Sequence, residues 1–338
     1  MNIPLAIEYY ERAASKGHMY AQYNLGAIYL GDGPYRDDEK AFYWMNKAAI
    51  HDTWNSTYIV GLMHYLGLGT EQNFVKAKDF FSKGALKDHP DSINIIGEMY
   101  EMGEGCEKDL KMAHLYYNKA VELGNAPAMY NLAEMYYYGT YVPKNYRKAM
   151  SLYIKSAKGG YTPSKFALGW MNEFGEGVEI DLPKASRLYR AASKEGDVHA
   201  SYRLGRFLYY GKGLDRNYEE SFDLFEYAAK KGLVDAMVYV GHMYEHGQGT
   251  ELNLSKAVEW YAKASDHEDP EAMYYLGVMY LKGEGIEHSD EQAFKWLKKS
   301  ADLGWTEACE EVSRMYEEGM GVERSSELAD FYREAPNE

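Results

Sequence analysis

Apolar and small residues return along this chain with a fixed period, and that period predicts its architecture. Between Glu271 and Gly304 the chain reads EAMYYLGVMYLKGEGIEHSDEQAFKWLKKSADLG. Ala272, Leu276, Gly277 and Tyr280 fall on one face of a helix. The small residues admit a close neighbour, and Met279 and Tyr280 fill the space beyond. Gly283-Glu284-Gly285 ends the helix, because glycine takes the positive φ of a C-terminal cap. A second helix follows and ends at Gly304. The same unit recurs, its repeat glycine falling at Gly26, Gly61, Gly97, Ala133, Gly169, Gly205, Gly241, Gly277 and Ser313. These spacings are 35 residues once and 36 residues seven times.

Each letter of the unit has a physical reading. Met63, Met99, Met135, Met171, Met243, Met279 and Met315 form a stripe at helical spacing, which is core packing. The second helix opens on a residue able to cap it: Asn2, Asp37, Asn73, Asp109, Asn145, Asp181, Asn217, Asn253, Ser289 or Ser325. Inside that helix an aromatic pair recurs, as Tyr9-Tyr10, Phe80-Phe81, Tyr116-Tyr117 and Trp260-Tyr261, and Gly17, Gly124, Gly160, Gly196, Gly232 and Gly304 close it. No strand or linker pattern intervenes, so the expectation is one all-α stacked array. Gly-x-Gly follows a helix and lacks a Walker lysine, so it reads as punctuation and not as a phosphate loop.

The two ends differ. The last unit is polar, with Glu310, Glu311, Glu317, Glu318 and Arg333, as expected of a terminal repeat that shields a stacking face. The N-terminal half-unit, residues 1–17, is apolar through Ile3, Leu5, Tyr9 and Tyr10. It is expected either to continue a longer chain or to dock on something.

Composition narrows the class. Of the 338 residues, 15% are aromatic and 34 are Tyr, too much apolar matter for a disordered chain. A formal charge of −15 excludes the basic surface that a nucleic-acid binder needs. No apolar run approaches the roughly 20 residues that span a bilayer, so no direct membrane insertion is expected. Cys106 and Cys309 lie more than five periods apart. Stacking should keep them beyond disulfide reach, and the cytoplasm is slightly favoured.

A 36-residue unit reading A-x-Y-x-L-G-x-M-Y-x-x-G-x-G and then D/N-x-x-K-A-x-x-W/Y-Y-x-K-A-A resembles the Sel-1-like repeat, a relative of the tetratricopeptide repeat. The small opening residue is Ala21, Ala128, Ala200, Ala236, Ala272 or Ala308, and elsewhere Ser56, Ser92 or Ser164; His64 stands where Tyr is expected. The resemblance implies one domain over residues 1–338, a half repeat followed by about nine full repeats, wound as a right-handed superhelix of antiparallel helix pairs. It implies a scaffold or adaptor without enzymatic activity or cofactor that holds a partner protein or peptide on its concave surface. The alternative is a structural or regulatory subunit of a larger complex, membrane-associated or in the secretory pathway. The chain lacks the paired cysteines of the family's cysteine-rich branch.

By analogy with tetratricopeptide arrays, the concave surface should be lined two before, one after and five after the repeat glycine. In the N-terminal half these positions include Ile59, Leu62, Leu66, Ile95, Met102, Tyr138, Trp170 and Phe174, an apolar strip broken by Glu98, Asn131 and Glu134. Towards the C-terminus they become Arg203, Arg206, Tyr210, Tyr239, His242, His246, Tyr275 and Lys282. The expectation is a groove for an extended or helical peptide, Arg203 and Arg206 meeting its acidic group, with packing of the array against itself as the competing use of this surface.

Two further patterns carry chemistry in other proteins. His242-Met243-Tyr244-Glu245-His246 spells H-x-x-E-H, a zinc-binding order, but Met243 and Tyr244 are ordinary repeat letters and the neighbouring units place Arg206, Tyr210, Val278 and Lys282 alongside. No metal is therefore expected. Asn55-Ser56-Thr57 and Asn253-Leu254-Ser255 match the glycosylation pattern; Asn253 is explained as a cap, and Asn55, near an inter-repeat turn, reads as coincidence.

Overall fold

The computed structural model describes residues 3–51 and 54–334, and among them every regular element is a helix. Contacts divide the chain into two compact units, Met1–Ser164 and Lys165–Glu338. The first holds α1 (Ile3–Ala14), α2 (Met19–Leu30), α3 (Asp38–Ala49), α4 (Trp54–Leu66), α5 (Phe74–Ala85), α6 (Pro90–Met102), α7 (Leu110–Glu122), α8 (Ala126–Tyr138) and α9 (Tyr146–Lys158). α10 (Thr162–Phe174) begins at its end and runs into the second unit, so the repeat register crosses the boundary without a break. The second continues with α11 (Leu182–Lys194), α12 (Val198–Tyr210), α13 (Tyr218–Lys230), α14 (Val234–His246) and α15 (Leu254–Ser265). It ends with α16 (Pro270–Lys282), α17 (Asp290–Asp302), α18 (Thr306–Glu318) and α19 (Ser326–Glu334). Even-numbered helices carry the repeat glycine, and each packs on the odd-numbered helix that follows, as α6 does on α7 and α16 on α17. No described helix is long and apolar enough to cross a membrane.

The repeat glycine is small because a side chain lies across it. A Cβ added at Gly97 would sit 2.6 Å from Tyr117 Cε1, and one at Gly241 would sit 2.7 Å from Tyr261 Cε1. Phe81, Tyr117 and Tyr261, the second members of aromatic pairs, and Tyr189 at the same position after Leu188, are completely buried in this contact. The methionine stripe is equally buried behind it, from Met63 to Met315.

The turn glycines do more than punctuate. Gly247 caps α14 in the left-handed conformation, φ 62°, with its N–H on the Met243 carbonyl. Two residues later, a Cβ on Gly249 would lie 2.1 Å from the Tyr218 carbonyl at the start of α13 in the preceding repeat. The turn is thus also a backbone contact between repeats. At the corresponding place in another unit the chain has Tyr141, held at φ 65°.

The predicted caps form. Asp37, Asn73, Asp109, Asn145, Asp181, Asn217, Asn253, Ser289 and Ser325 each accept a backbone N–H in the first turn of their helix. Each such cap stabilises by about 1 kcal/mol over alanine; Asn2 lies outside the described residues. Gly17, Gly124, Gly160, Gly196, Gly232 and Gly304 all take positive φ after the second helix, and Asp88 and Glu268 take the same conformation in the repeats that lack the glycine. Cys106 and Cys309 are free thiols.

A polar latch closes several helix pairs, and it lies in a column of the repeat that the apolar pattern does not reveal. Tyr117 donates to Glu101 at 2.6 Å, Tyr189 to Glu173 at 2.6 Å and Tyr261 to Glu245 at 2.7 Å, always from the second helix to a residue sixteen positions earlier. Where the second-helix ring is Phe81 or Phe225 the carboxylate is absent, and Tyr65 or Tyr209 stands in its place. Those hydroxyls reach thirty-nine residues on, Tyr65 to Glu104 and Tyr209 to Gln248 at 2.7 Å, each in the middle of the next Gly-x-Gly turn. In the last repeat the column holds an ion pair, Arg333 with Glu317.

Candidate partner-binding site

The three predicted rows are not equally open. In the first unit Leu66, Met102 and Tyr138, five after the repeat position, are 57%, 68% and 64% exposed. In the second unit Phe174 and Tyr210 are 46% and 45% exposed, and His246 is exposed too. The other two rows are half-buried: Ile59 packs against the core of α2–α4, and Leu62 and Ile95 against that of α4–α6. Trp170, Arg203, Arg206, Tyr239, His242 and Tyr275 are half-buried as well. Packing of the repeats therefore takes part of the predicted face and leaves the last-turn row the most exposed.

The residues that interrupt the strip in the first unit are bonded to their neighbours. Asn94 and Asn131 both donate to Glu98 Oε1 at 2.8 Å, and Asn131 also reaches Asn94 Oδ1 at 3.1 Å, joining α6 to α8. Tyr153 donates to Glu134. Burial raises the pKa of both carboxyl groups, and the amide and phenol hydrogen bonds oppose that rise.

In the second unit the predicted residues gather into two clusters. The Arg203 guanidinium lies 4.4 Å from the Trp170 ring centre and 5.5 Å from that of Phe174, and it pairs with Glu173 at 3.4 Å. Its charge is thus answered inside the chain. Arg206 lies 5.8 Å from the Tyr202 ring and is half-buried near Tyr239 and Tyr210, and no carboxylate pairs with it among the described residues.

The second cluster encloses a pocket of about 130 Å³ between α12, α14 and α16. Tyr209, Tyr239 and Tyr275 supply aromatic walls, with Val238, His242 and Glu271 completing them and Tyr210 at the side. The Tyr210 and Tyr239 hydroxyls meet at 3.0 Å, and Tyr239 is stacked on Phe225 with ring centres 4.5 Å apart. Tyr209 gives its proton to Gln248, so its 3.3 Å contact with His242 Nδ1 requires the imidazole to donate, leaving Nε2 an acceptor. Burial, followed by the nearby His246, lowers the His242 pKa and favours the neutral ring.

The H-x-x-E-H pattern resolves into repeat structure. Glu245 is the latch carboxylate of its unit, bonded to Tyr261, while the His242 and His246 rings stack with centres 4.2 Å apart. His246 Nδ1 lies 3.0 Å from the His242 carbonyl. Among the described residues no three His, Cys, Asp or Glu side chains come together to hold a metal. Asn253 is a cap, and Asn55 stands in the first turn of α4 with Ser56 and Thr57 buried behind it.

Sequence reasoning missed Tyr209, Gln248 and Glu271. The paired departure of Tyr209 and Phe225 from the repeat was the available signal for the first two. Glu271 lies in the first turn of α16, outside the three predicted rows.

Comparison with known proteins agrees with this architecture. The Sel1 repeat family model matches residues 2–18, 20–52, 54–89, 90–125, 126–161, 162–197, 198–233, 234–269, 270–305 and 306–329. No curated protein gives a significant match. The crystal structure of c5321, a protective antigen present in uropathogenic Escherichia coli strains and displaying an SLR fold, is similar over 98% of this chain and 89% of its own, with 25% identity and a TM-score of 0.57. A Sel1 repeat protein from Oxalobacter formigenes is similar over 91% of this chain and 90% of its own, with 24% identity and a TM-score of 0.62. Matches that run from residue 2 to residue 329, a half repeat followed by the helix pairs described above, place the chain in the Sel1 repeat family.

Proposed function

We propose that this chain is an adaptor without catalytic activity, and that the last-turn row of the first unit, Leu66, Met102 and Tyr138, grips an extended or helical peptide of a partner protein. Sel1 and tetratricopeptide-like arrays are typically interaction scaffolds, which supports the general role. The observation that carries the finer reading is the recurrence of a large apolar side chain, more than half exposed, at one register position in α4, α6 and α8. An ordered set of exposed apolar groups is what a partner's apolar side chains would cover.

The test is selection of a displayed random-peptide library on the purified chain. Peptides enriched on the wild type should bind at least tenfold more weakly to Leu66→Ser/Met102→Ser/Tyr138→Ser, with helicity unchanged. Ile50→Ser/Leu86→Ser, which removes apolar groups 79% and 86% exposed outside the row, should bind as the wild type does. Equal binding by both variants would overturn the reading.

A further inference from the structure

The pocket between α12, α14 and α16 has a carboxylate that no side chain answers among the described residues. Glu271 lines it, and no hydrogen bond or ion pair engages that carboxylate among the described residues. The register equivalent in the first unit shows what is missing: Asp91 accepts a 2.7 Å hydrogen bond from Asn125, thirty-four residues on. Thirty-four residues beyond Glu271 stands Trp305, whose indole N–H is buried and makes no hydrogen bond. The surroundings do not help either. Burial raises the Glu271 pKa, and the nearby Asp269, Asp235 and Glu307 raise it further. A half-buried carboxylate facing aromatic walls is a site short of a cation.

We propose that this pocket takes the lysine or arginine side chain of a partner peptide, its cationic head against Glu271 and its stem between the Tyr209, Tyr239 and Tyr275 rings. The walls suit that guest, since each phenol ring presents a negative face to a cation, and His242 Nε2 offers a further acceptor. About 130 Å³ holds an ammonium or guanidinium group with its last methylenes. Arg206, near the Tyr210 and Tyr239 hydroxyls, is an opposing charge, and it sets a limit on affinity that a substitution can lift.

The inference rests on the adaptor reading, but its test is separate because the pocket lies in the second unit. Short capped peptides, Ac-Ala-X-Ala-NH2 with X lysine, arginine, norleucine or glutamate, are titrated into the full chain while the ring and methyl NMR resonances of Tyr209, Val238, Tyr239 and Tyr275 are followed. The lysine and arginine peptides should shift these resonances at concentrations where the norleucine and glutamate peptides do not. Glu271→Gln should weaken binding about tenfold, the loss expected when a charge pair's anion is neutralised. Arg206→Gln should strengthen it several-fold, a gain that a damaged fold cannot mimic. Leu66→Ser/Met102→Ser/Tyr138→Ser should leave it unchanged, so failure of the apolar row is read apart from failure of the pocket. Equal binding of the norleucine peptide, or unchanged affinity in both Glu271→Gln and Arg206→Gln, would overturn the proposal.

Discussion

The exchangeable latch makes a quantitative prediction about stability. Tyr261 is completely buried, and its hydroxyl donates to Glu245 at 2.7 Å. Tyr261→Phe keeps the ring on Gly241 and removes only the donor, leaving a half-buried carboxylate unsatisfied. Losing a hydrogen bond to a charged group costs about 1.5–3 kcal/mol. Glu245→Tyr alone should cost a comparable amount, because the Tyr261 hydroxyl then loses its acceptor in a space already filled by its own ring. The double variant Glu245→Tyr/Tyr261→Phe recreates the pairing seen at Tyr209 with Phe225 and at Tyr65 with Phe81. An acceptor is in register, since Glu284 lies thirty-nine residues after position 245, as Gln248 lies after Tyr209.

The double variant should therefore recover most of what either single loses, with a coupling energy of about 1–3 kcal/mol in a double-mutant cycle. Urea unfolding of the four proteins measures it. Because repeat arrays need not unfold in one step, hydrogen exchange of the α14 and α15 amides should accompany it. Additive losses, with the double variant the least stable of the four, would refute the view that the latch is one interchangeable unit.

Two other outcomes concern the turns and the buried phenols. Glu268 holds φ 62° in the place where Gly304 holds 86° and Gly232 holds 94°, so Glu268→Gly should stabilise by about 1 kcal/mol, relieving the left-handed strain of a side chain; a lower urea midpoint would contradict this. At high pH, burial raises Tyr58, Tyr202 and Tyr275 to about 12 and raises Tyr117, Tyr153 and Tyr261 further still. A folded pKa above the unfolded value contributes stability that is complete below about 10 and lost as pH rises through the folded pKa. Helicity should thus fall between about pH 10 and 12 together with phenolate absorbance; full phenol ionisation with helicity intact would contradict it.

The array was legible because each of its devices is local. A cap, a positive-φ glycine and a methionine stripe are decided within a few residues of chain, and the capping positions from Asp37 to Ser325 form as their letters require. The candidate site was less legible because exposure in a stacked array depends on the neighbour. Ile59, Leu62 and Ile95 share the face of Leu66 and Met102, yet the adjacent repeats half-bury the first three and leave the last two open. The latch is hidden in the sequence because it links residues sixteen or thirty-nine apart, and an isolated Glu245 looks the same whether it faces water, a metal or Tyr261. The pocket needed side chains from three successive even-numbered helices, one of them in a first turn.

Departures from the repeat therefore fall into two kinds, and the difference bears on where function lies. Tyr209 departs from the glutamate column, but Phe225 departs with it, and the same pair of changes at Tyr65 and Phe81 keeps a hydrogen bond to the next turn. Such a paired change conserves the frame and says nothing about a partner. Arg333 with Glu317 is another case, closing the last repeat with charge in place of a phenol. Glu271 is the opposite case. Asn125 answers Asp91, whereas Trp305 does not answer Glu271, and no other residue among those described makes up the loss. A half-buried carboxylate left without a side-chain partner costs stability, and the first-turn position of Glu271 on α16 offsets only part of that cost. In a protein built from interchangeable parts, the position whose compensation lies outside the chain is where a ligand should be sought.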